Sequence, residues 1–176
     1  MARFVELRRH TDNDGDVLSA DGVAAALRLG AALAGGYQVG VSSGAQRATQ
    51  TLACLLAALG QVVPGGAVVE PGLRSAREDD WRAAYQRAGS GDLAALRAAD
   101  PELVAADSAV LGAALGRVFE RLGDGERALA IAHSPTNEAA VLGLTGELVA
   151  PLGKGEGVLV VAEDGGGYRV EPLAGR

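Results

Sequence analysis

Short blocks of apolar residues alternate with polar segments along this chain, and their spacing predicts alternating strands and helices. Apolar runs that are short, or that alternate inward and outward, indicate strands. Strands are predicted at residues 4–7, 37–41, 67–69, 128–132, 158–162 and 168–170. The run 128–132 is fully apolar, which is typical of a strand buried in a parallel sheet. The last two strands flank a glycine-rich turn and predict a hairpin.

In most of the segments between these strands, apolar residues recur at the spacing of a helix. Helices are predicted from Ser19 to Gly35, over residues 48–59 with Gly60 as the terminator, from Pro101 to Leu122, and from about Pro135 to Leu144. The inward face of the first is predicted to carry Val23, Ala26, Leu27, Gly30 and Leu33, and that of the long one Leu103, Val104, Val110, Leu111, Leu115, Val118 and Leu122. Residues 73–100 are charged and weakly periodic, so we expect an excursion with short helices there.

This order of elements predicts the fold class. Strands that alternate with helices form an α/β protein with a mostly parallel sheet. We therefore expect a three-layer α/β/α sandwich with a mostly parallel central sheet and a C-terminal hairpin. No internal repeat or linker divides the sequence, so residues 1–176 are predicted to form one domain.

Composition narrows the classes of function. The formal net charge of −6 argues against nucleic-acid binding, which needs clustered cations. All of the 16 basic residues except Lys154 are arginine, and each is a candidate anion ligand. The single cysteine, Cys54, rules out an internal disulfide and fits a reducing compartment. No stretch is apolar and long enough to span a bilayer, and the N-terminus has no apolar leader, so we expect a cytoplasmic protein without a membrane partner.

Candidate functional side chains follow the ends of the predicted strands. Arg9 and His10 follow the first strand, Ser43 and then Arg47 follow the second, and His133 follows the run 128–132. The carboxyl ends of parallel strands are where open α/β sheets bind ligands. Guanidinium groups match phosphate oxygens, and a neutral imidazole can attack phosphorus to form a covalent intermediate. The pattern therefore predicts a pocket for a phosphoryl group.

Three blocks of the sequence resemble the histidine phosphatase superfamily, which has the phosphoglycerate mutase-like fold. Arg9-His10-Thr11 resembles its Arg-His-Gly signature, and residues 41–51 resemble its strand that ends in serine and continues as Arg-Ala-x-Gln-Thr. Residues 132–138 resemble the block found in short bacterial phosphohistidine phosphatases, where the histidine is followed by x-Pro-Thr. The resemblance runs in order over nearly the whole chain.

The resemblance implies a phosphatase that needs no metal and no other cofactor. It implies that His10 becomes phosphorylated, while Arg9, Arg47 and His133 hold the phosphoryl oxygens. Thr11, Ser43 and Ser134 are the further expected substrate-binding residues. The implied substrate is a phosphomonoester or a phosphoramidate, carried by a phosphorylated small molecule or by a phosphoprotein.

One departure from the family pattern concerns the signature itself. Thr11 stands where a glycine is expected, which places a side chain beside the phosphate. Its hydroxyl either donates a hydrogen bond to the substrate or crowds the pocket.

The second departure concerns the proton donor. The mutase-like branch carries a glutamate in a Leu-x-Glu block, and Ser75 stands at that position here, with Trp81 in its expected place. Glu78, Asp79 and Glu70 are candidate substitutes. Otherwise the enzyme has no dedicated acid and needs an easy leaving group. The alternative functions are a phosphate-binding module with weakened turnover and a phosphomutase, although a mutase needs an efficient acid.

Overall fold

The computed structural model describes residues 1–173, and a six-stranded sheet lies at its centre. The strands are β1 (Arg3–Arg9), β2 (Asn13–Asp14), β3 (Val17–Leu18), β4 (Val39–Ser42), β5 (Ala67–Val69), β6 (Arg127–Ala132), β7 (Gly157–Ala162) and β8 (Tyr168–Pro172). The order in the sheet is β5-β4-β6-β1-β7-β8, and β5, β4, β6 and β1 are parallel. The antiparallel pairs β1–β7 and β7–β8 complete it.

Helices cover both faces of this sheet. They are α1 (Ala20–Ala32), α2 (Gln46–Leu59), α3 (Glu78–Ala88), α4 (Leu93–Ala99), α5 (Pro101–Glu120) and α6 (Thr136–Thr145). Side chains alternate along β6, so Leu129 and Ile131 pack with the α2 residues on one face, while Ala128 and Ala130 join the core that α5 and α6 close on the other. The predicted three-layer sandwich with a C-terminal hairpin is thus confirmed.

Two predicted helix faces are partly wrong. Val23 and Leu27 are 37% and 42% exposed, whereas Ala26 and Gly30 face inward as predicted and Gly22 joins them. A Cβ at Gly30 would lie 2.5 Å from the Leu55 carbonyl oxygen, so α1 approaches α2 through its small residues. Val110 of α5 is 61% exposed, although the remaining residues predicted for that face are buried.

The helices α5 and α6, which cover one face of the sheet, pack closely against each other. Gly143 of α6 lies so near α5 that a Cβ there would be 1.7 Å from the Ser108 carbonyl oxygen, and a Cβ at Gly112 would be 2.5 Å from the Gly143 carbonyl carbon. Glycine is unfavourable in a helix interior. Its presence at these two positions is explained by the close approach of the α5 and α6 backbones, which leaves no room for a Cβ. None of the helices in residues 1–173 is long and apolar enough to cross a membrane.

The polar stretch 12–16 is more ordered than its lack of periodicity suggests. It forms most of a small antiparallel hairpin, β2–β3, which turns at Gly15 with φ +60°. The residues after each parallel strand lie at one edge of the sheet, and the hairpin supplies a side chain to that edge.

Candidate active site

The ends of β1, β4 and β6 bring polar side chains to one edge of the sheet. The strand pairing continues one residue past each end: the His10 amide donates to the Ala132 carbonyl at 3.0 Å, and the Ser43 amide donates to the Ile131 carbonyl at 3.1 Å. His10, Ser43 and His133 therefore follow three adjacent strands, as the sequence predicts, and all three are buried.

His10 is held in one tautomer. Its Nδ1 lies 2.7 Å from the Thr11 carbonyl oxygen, which can only accept, so Nδ1 carries the proton. Nε2 then carries the lone pair of the ring, which accepts a hydrogen bond from the Arg47 Nε at 3.3 Å. The unprotonated nitrogen of His10 thus faces a guanidinium group.

The electrostatics keep both histidines neutral. Burial lowers the pKa of His10 to about 4, and the charges of Arg47, Lys154 and Arg9 act in the same direction. Burial, followed by the Arg47 charge, lowers the pKa of His133 to about 3. A cationic environment and poor solvation both disfavour the protonated imidazole. At neutral pH the site therefore combines neutral imidazoles with permanently charged arginines.

His133 lies beside His10 with one nitrogen unused. The ring centroids are 5.4 Å apart at an interplanar angle of 60°. His133 Nε2 is 2.8 Å from the Ser43 hydroxyl oxygen, whereas its buried Nδ1 has no hydrogen-bond partner among residues 1–173. Ser43 thus fixes the orientation of the ring through one of its two nitrogens.

Arg47 is placed by a contact that the sequence analysis missed. It lies in the first turn of α2, and its Nη1 donates to Asp16 Oδ1 at 2.7 Å. Asp16 belongs to the turn of the β2–β3 hairpin, and its other oxygen accepts from the Gln46 amide at 3.3 Å. The hairpin therefore aims Arg47 at His10, which is a role that no local pattern in residues 12–16 reveals.

Arg9 occupies a different position from Arg47. Its Nη1 donates to the Leu152 carbonyl at 2.9 Å, and its buried Nε has no partner in the described part of the chain. The Leu152 amide donates in turn to Glu138 Oε1 at 2.8 Å, and Glu138 is fully buried. Glu138, which the sequence analysis also missed, is thus linked to Arg9 through one backbone residue.

Two of the expected substrate-binding hydroxyls have their protons engaged inside the fold. The Thr11 hydroxyl donates to the Gly22 carbonyl at 2.8 Å, and the Ser134 hydroxyl donates to Glu138 Oε1 at 2.5 Å. The Thr11 side chain therefore fastens β1 to α1 rather than offering its proton to the edge of the sheet. Of the two, Ser134 lines the cavity beside His133.

The candidate proton donors Glu78 and Asp79 lie in ion pairs on the excursion. Arg74 Nε donates to Glu78 at 2.6 Å, and Arg82 Nη1 donates to Asp79 at 2.8 Å. The hydrogen bond from Arg74 lowers the pKa of Glu78. A carboxyl group held ionised in this way is a poor acid at neutral pH.

Glu70, the third candidate donor, is also engaged. It is buried after β5, where Arg117 Nη2 donates to it at 2.8 Å and the Gly72 amide at 3.2 Å. The bond from Arg117 lowers the pKa of Glu70. Its carboxylate thus binds α5 to the segment that follows β5.

A cavity of about 220 Å³ opens beside His133. Polar side chains in its lining include Arg47, Ser75, His133 and the candidate donor Glu78, and Trp81, Tyr85 and Pro135 contribute apolar surface. Its volume suits a small ring or a short chain rather than a large ligand. Within residues 1–173, no group of three or more His, Cys, Asp or Glu side chains could hold a metal ion.

Comparison with solved structures identifies the fold. A phosphoglycerate mutase from Bacillus anthracis matches over 98% of this chain and 92% of its own, with 20% identity and a TM-score of 0.74. A phosphoserine phosphatase from Entamoeba histolytica, in complex with 3-phosphoglyceric acid, matches over 99% and 98%, with 14% identity and a TM-score of 0.72. The protein histidine phosphatase SixA, complexed with tungstate, matches over 97% and 94%, with 21% identity and a TM-score of 0.58.

The chain has the fold of the histidine phosphatase superfamily. The resemblance seen in the sequence is thereby confirmed for the fold. No protein-family model and no curated protein matches the sequence. The histidine phosphatase fold explains why the three blocks converge, since each block ends a strand of the same parallel sheet.

Proposed function

We propose that this protein is a phosphatase that hydrolyses its substrate through a phosphohistidine on His10 Nε2. The observation that carries the proposal is the state of His10: Nδ1 donates to the Thr11 carbonyl, the pKa is lowered to about 4, and Nε2 faces Arg47. A neutral imidazole whose Nε2 lone pair points at a guanidinium group suits attack on a phosphoryl group that takes over the Arg47 hydrogen bond.

In the first step, His10 Nε2 attacks phosphorus and the bond to the leaving group breaks. The candidate donors to the phosphoryl oxygens are Arg47, Arg9 and the Nδ1 of His133, which has no hydrogen-bond partner among residues 1–173. Such donors stabilise the charge of a loose transition state with little reorganisation. In the second step, water attacks the phosphohistidine, and the bonding electrons return to Nε2.

The engaged acids favour a substrate with an easy leaving group. Glu70 and Glu78 are held ionised by Arg117 and Arg74, so protonation of an alkoxide by either is disfavoured. The leaving group of a phosphoramidate, such as a phosphohistidine on a small molecule or a carrier protein, departs without protonation by either glutamate. We therefore propose this class ahead of alkyl phosphomonoesters.

The experiment is hydrolysis of para-nitrophenyl phosphate in the presence of a chelator. Wild type is expected to release nitrophenolate and to carry acid-labile phosphate at His10. His10→Asn retains a donor for the Thr11 carbonyl but has no nucleophile, and it should lose turnover by at least about 10³-fold. Arg28→Ala, which removes an exposed arginine of α1, is the control variant.

Two outcomes would contradict the proposal. Equal trace activity in wild type and His10→Asn would remove the enzymatic function. Binding of inorganic phosphate in a calorimeter without turnover of either nitrophenyl phosphate or a phosphoramidate would instead indicate a binding module. Parallel assays with a phosphohistidine carrier protein and with small phosphorylated metabolites test the substrate class.

A further inference from the structure

A buried serine–aspartate pair, Ser75 and Asp107, places its serine in the wall of the cavity beside His133. Ser75 is 7% exposed and lines the same cavity as His133 and Arg47. Its hydroxyl donates to Asp107 Oδ2 at 2.6 Å. Asp107 belongs to α5 and is 5% exposed. None of the contacts described above gives this pair a task in catalysis.

Asp107 is arranged to receive protons. Trp81 Nε1 donates to the same oxygen, Oδ2, at 2.6 Å, so two short bonds converge on one carboxylate oxygen. An ionised carboxylate accepts without donating, and bonds of this length fit charged acceptors. Trp81 and Ser75 both come from the excursion, whereas Asp107 comes from α5, so the pair exists only in the folded chain.

Among residues 1–173, the Ser75 hydroxyl has one acceptor position left. It donates to Asp107 and accepts from the Arg77 amide at 2.9 Å. A hydroxyl oxygen has two lone pairs, so a second acceptor position is available. A water molecule in the cavity can donate to that position, which makes Ser75 the link between water and Asp107.

We propose that Ser75, backed by Asp107, is the general base of the second half of the reaction; this rests on the phosphohistidine mechanism proposed above. The attacking water forms a bond to phosphorus while the phosphorus–Nε2 bond to His10 breaks and its electron pair returns to Nε2. The water proton passes to the Ser75 oxygen, and the Ser75 proton passes to Asp107 Oδ2. When phosphate departs, Asp107 returns that proton through the Ser75 hydroxyl to water in the cavity.

The pair also explains the asymmetry between the two halves of the reaction. Asp107 Oδ2 accepts hydrogen bonds from both Ser75 and Trp81, so it is placed to take up a proton through Ser75 and not to give one to a leaving group. A glutamate at position 75, as in the family pattern, would donate a proton in the first half and accept one in the second. Ser75 with Asp107 can only accept one in the second half. Ser75 is thus the catalytic residue, and Asp107 acts through it as a positioning residue and proton acceptor.

The test separates the two halves in a rapid-quench experiment with para-nitrophenyl phosphate. Ser75→Ala should form phosphoenzyme at the wild-type rate but hydrolyse it about 10²-fold more slowly. A burst of about one nitrophenolate per site should then appear, with phosphohistidine accumulating. Asp107→Asn should show the same accumulation. Ser108→Ala removes the neighbouring buried hydroxyl, which has no partner among residues 1–173, and should behave as wild type.

Equal slowing of both halves in Ser75→Ala, or no accumulated phosphohistidine, would overturn the assignment. If Asp107→Asn fails to fold, Ser75→Ala still decides the question, because it deletes only one oxygen. Failure of the proposed function is distinct, since wild type itself would then form no phosphohistidine. Turnover in wild type with identical kinetics in Ser75→Ala and Ser108→Ala refutes the role of Ser75 alone.

Discussion

Acidification should destabilise this protein through its two buried histidines. The pKa of His10 is about 4 and that of His133 about 3 in the folded chain, against about 6.5 for each in the unfolded chain. Below about pH 6.5 the unfolded chain therefore binds more protons than the folded one, so the free energy of unfolding falls as pH falls. This loss continues until the pH passes through the lowered pKa values.

The magnitude follows from proton linkage. When the pH falls from about 6.5 to about 5, each histidine lowers the free energy of unfolding by about 1.5 kcal/mol, and the two together lower it by about 3 kcal/mol. A change of that size should lower the midpoint of urea unfolding by about 1.5 M. Carboxylates with shifted pKa values also contribute over this range, so the histidine share has to be isolated by a variant.

The assay is urea unfolding at both pH values for wild type and for the double variant His10→Asn/His133→Gln. Asparagine places an amide where His10 Nδ1 bonds to Thr11, and glutamine places one where His133 Nε2 bonds to Ser43. Neither amide titrates, so wild type should lose about 3 kcal/mol more than the double variant on acidification. Equal losses in the two proteins would refute the reasoning and mean that the histidines are solvated in the folded chain.

Three further predictions follow from particular contacts. Arg47→Lys removes the Nε that faces His10 and should lower kcat/KM for nitrophenyl phosphate by about 10²-fold or more, with little change in melting temperature; an unchanged kcat/KM would contradict its role. Glu78→Gln and Asp79→Asn should each reduce hydrolysis of alkyl and nitrophenyl esters by similar factors, whereas a selective loss of about 10²-fold on the alkyl ester would identify a proton donor. Gly143→Ala should destabilise the protein by about 2–3 kcal/mol in thermal unfolding, while Gly116→Ala, whose Cβ would lie 3.8 Å from the nearest atom, should be neutral or stabilising; equal effects would refute the close approach of α5 to α6.

Much of the fold and part of the site follow from local sequence. The apolar run 128–132 and the turn residues around the other strands predict the sheet and its hairpin, because strand burial and turn conformation depend on neighbouring residues. The same patterns place His10, Ser43 and His133 at strand ends. The inward positions of α1 were predicted less well, because a short apolar face can rotate until small residues meet the neighbouring helix.

Only the tertiary structure decided which side chains act together. Asp16 lies 31 residues from Arg47, and Asp107 lies 32 residues from Ser75, so no local pattern pairs them. The lowered pKa of His10 depends on how deeply its ring is buried and on which arginines surround it. Sequence therefore determined the kinds of groups and the strands that carry them. Their protonation and mutual geometry came from long-range packing, because solvation and distance are properties of the folded chain.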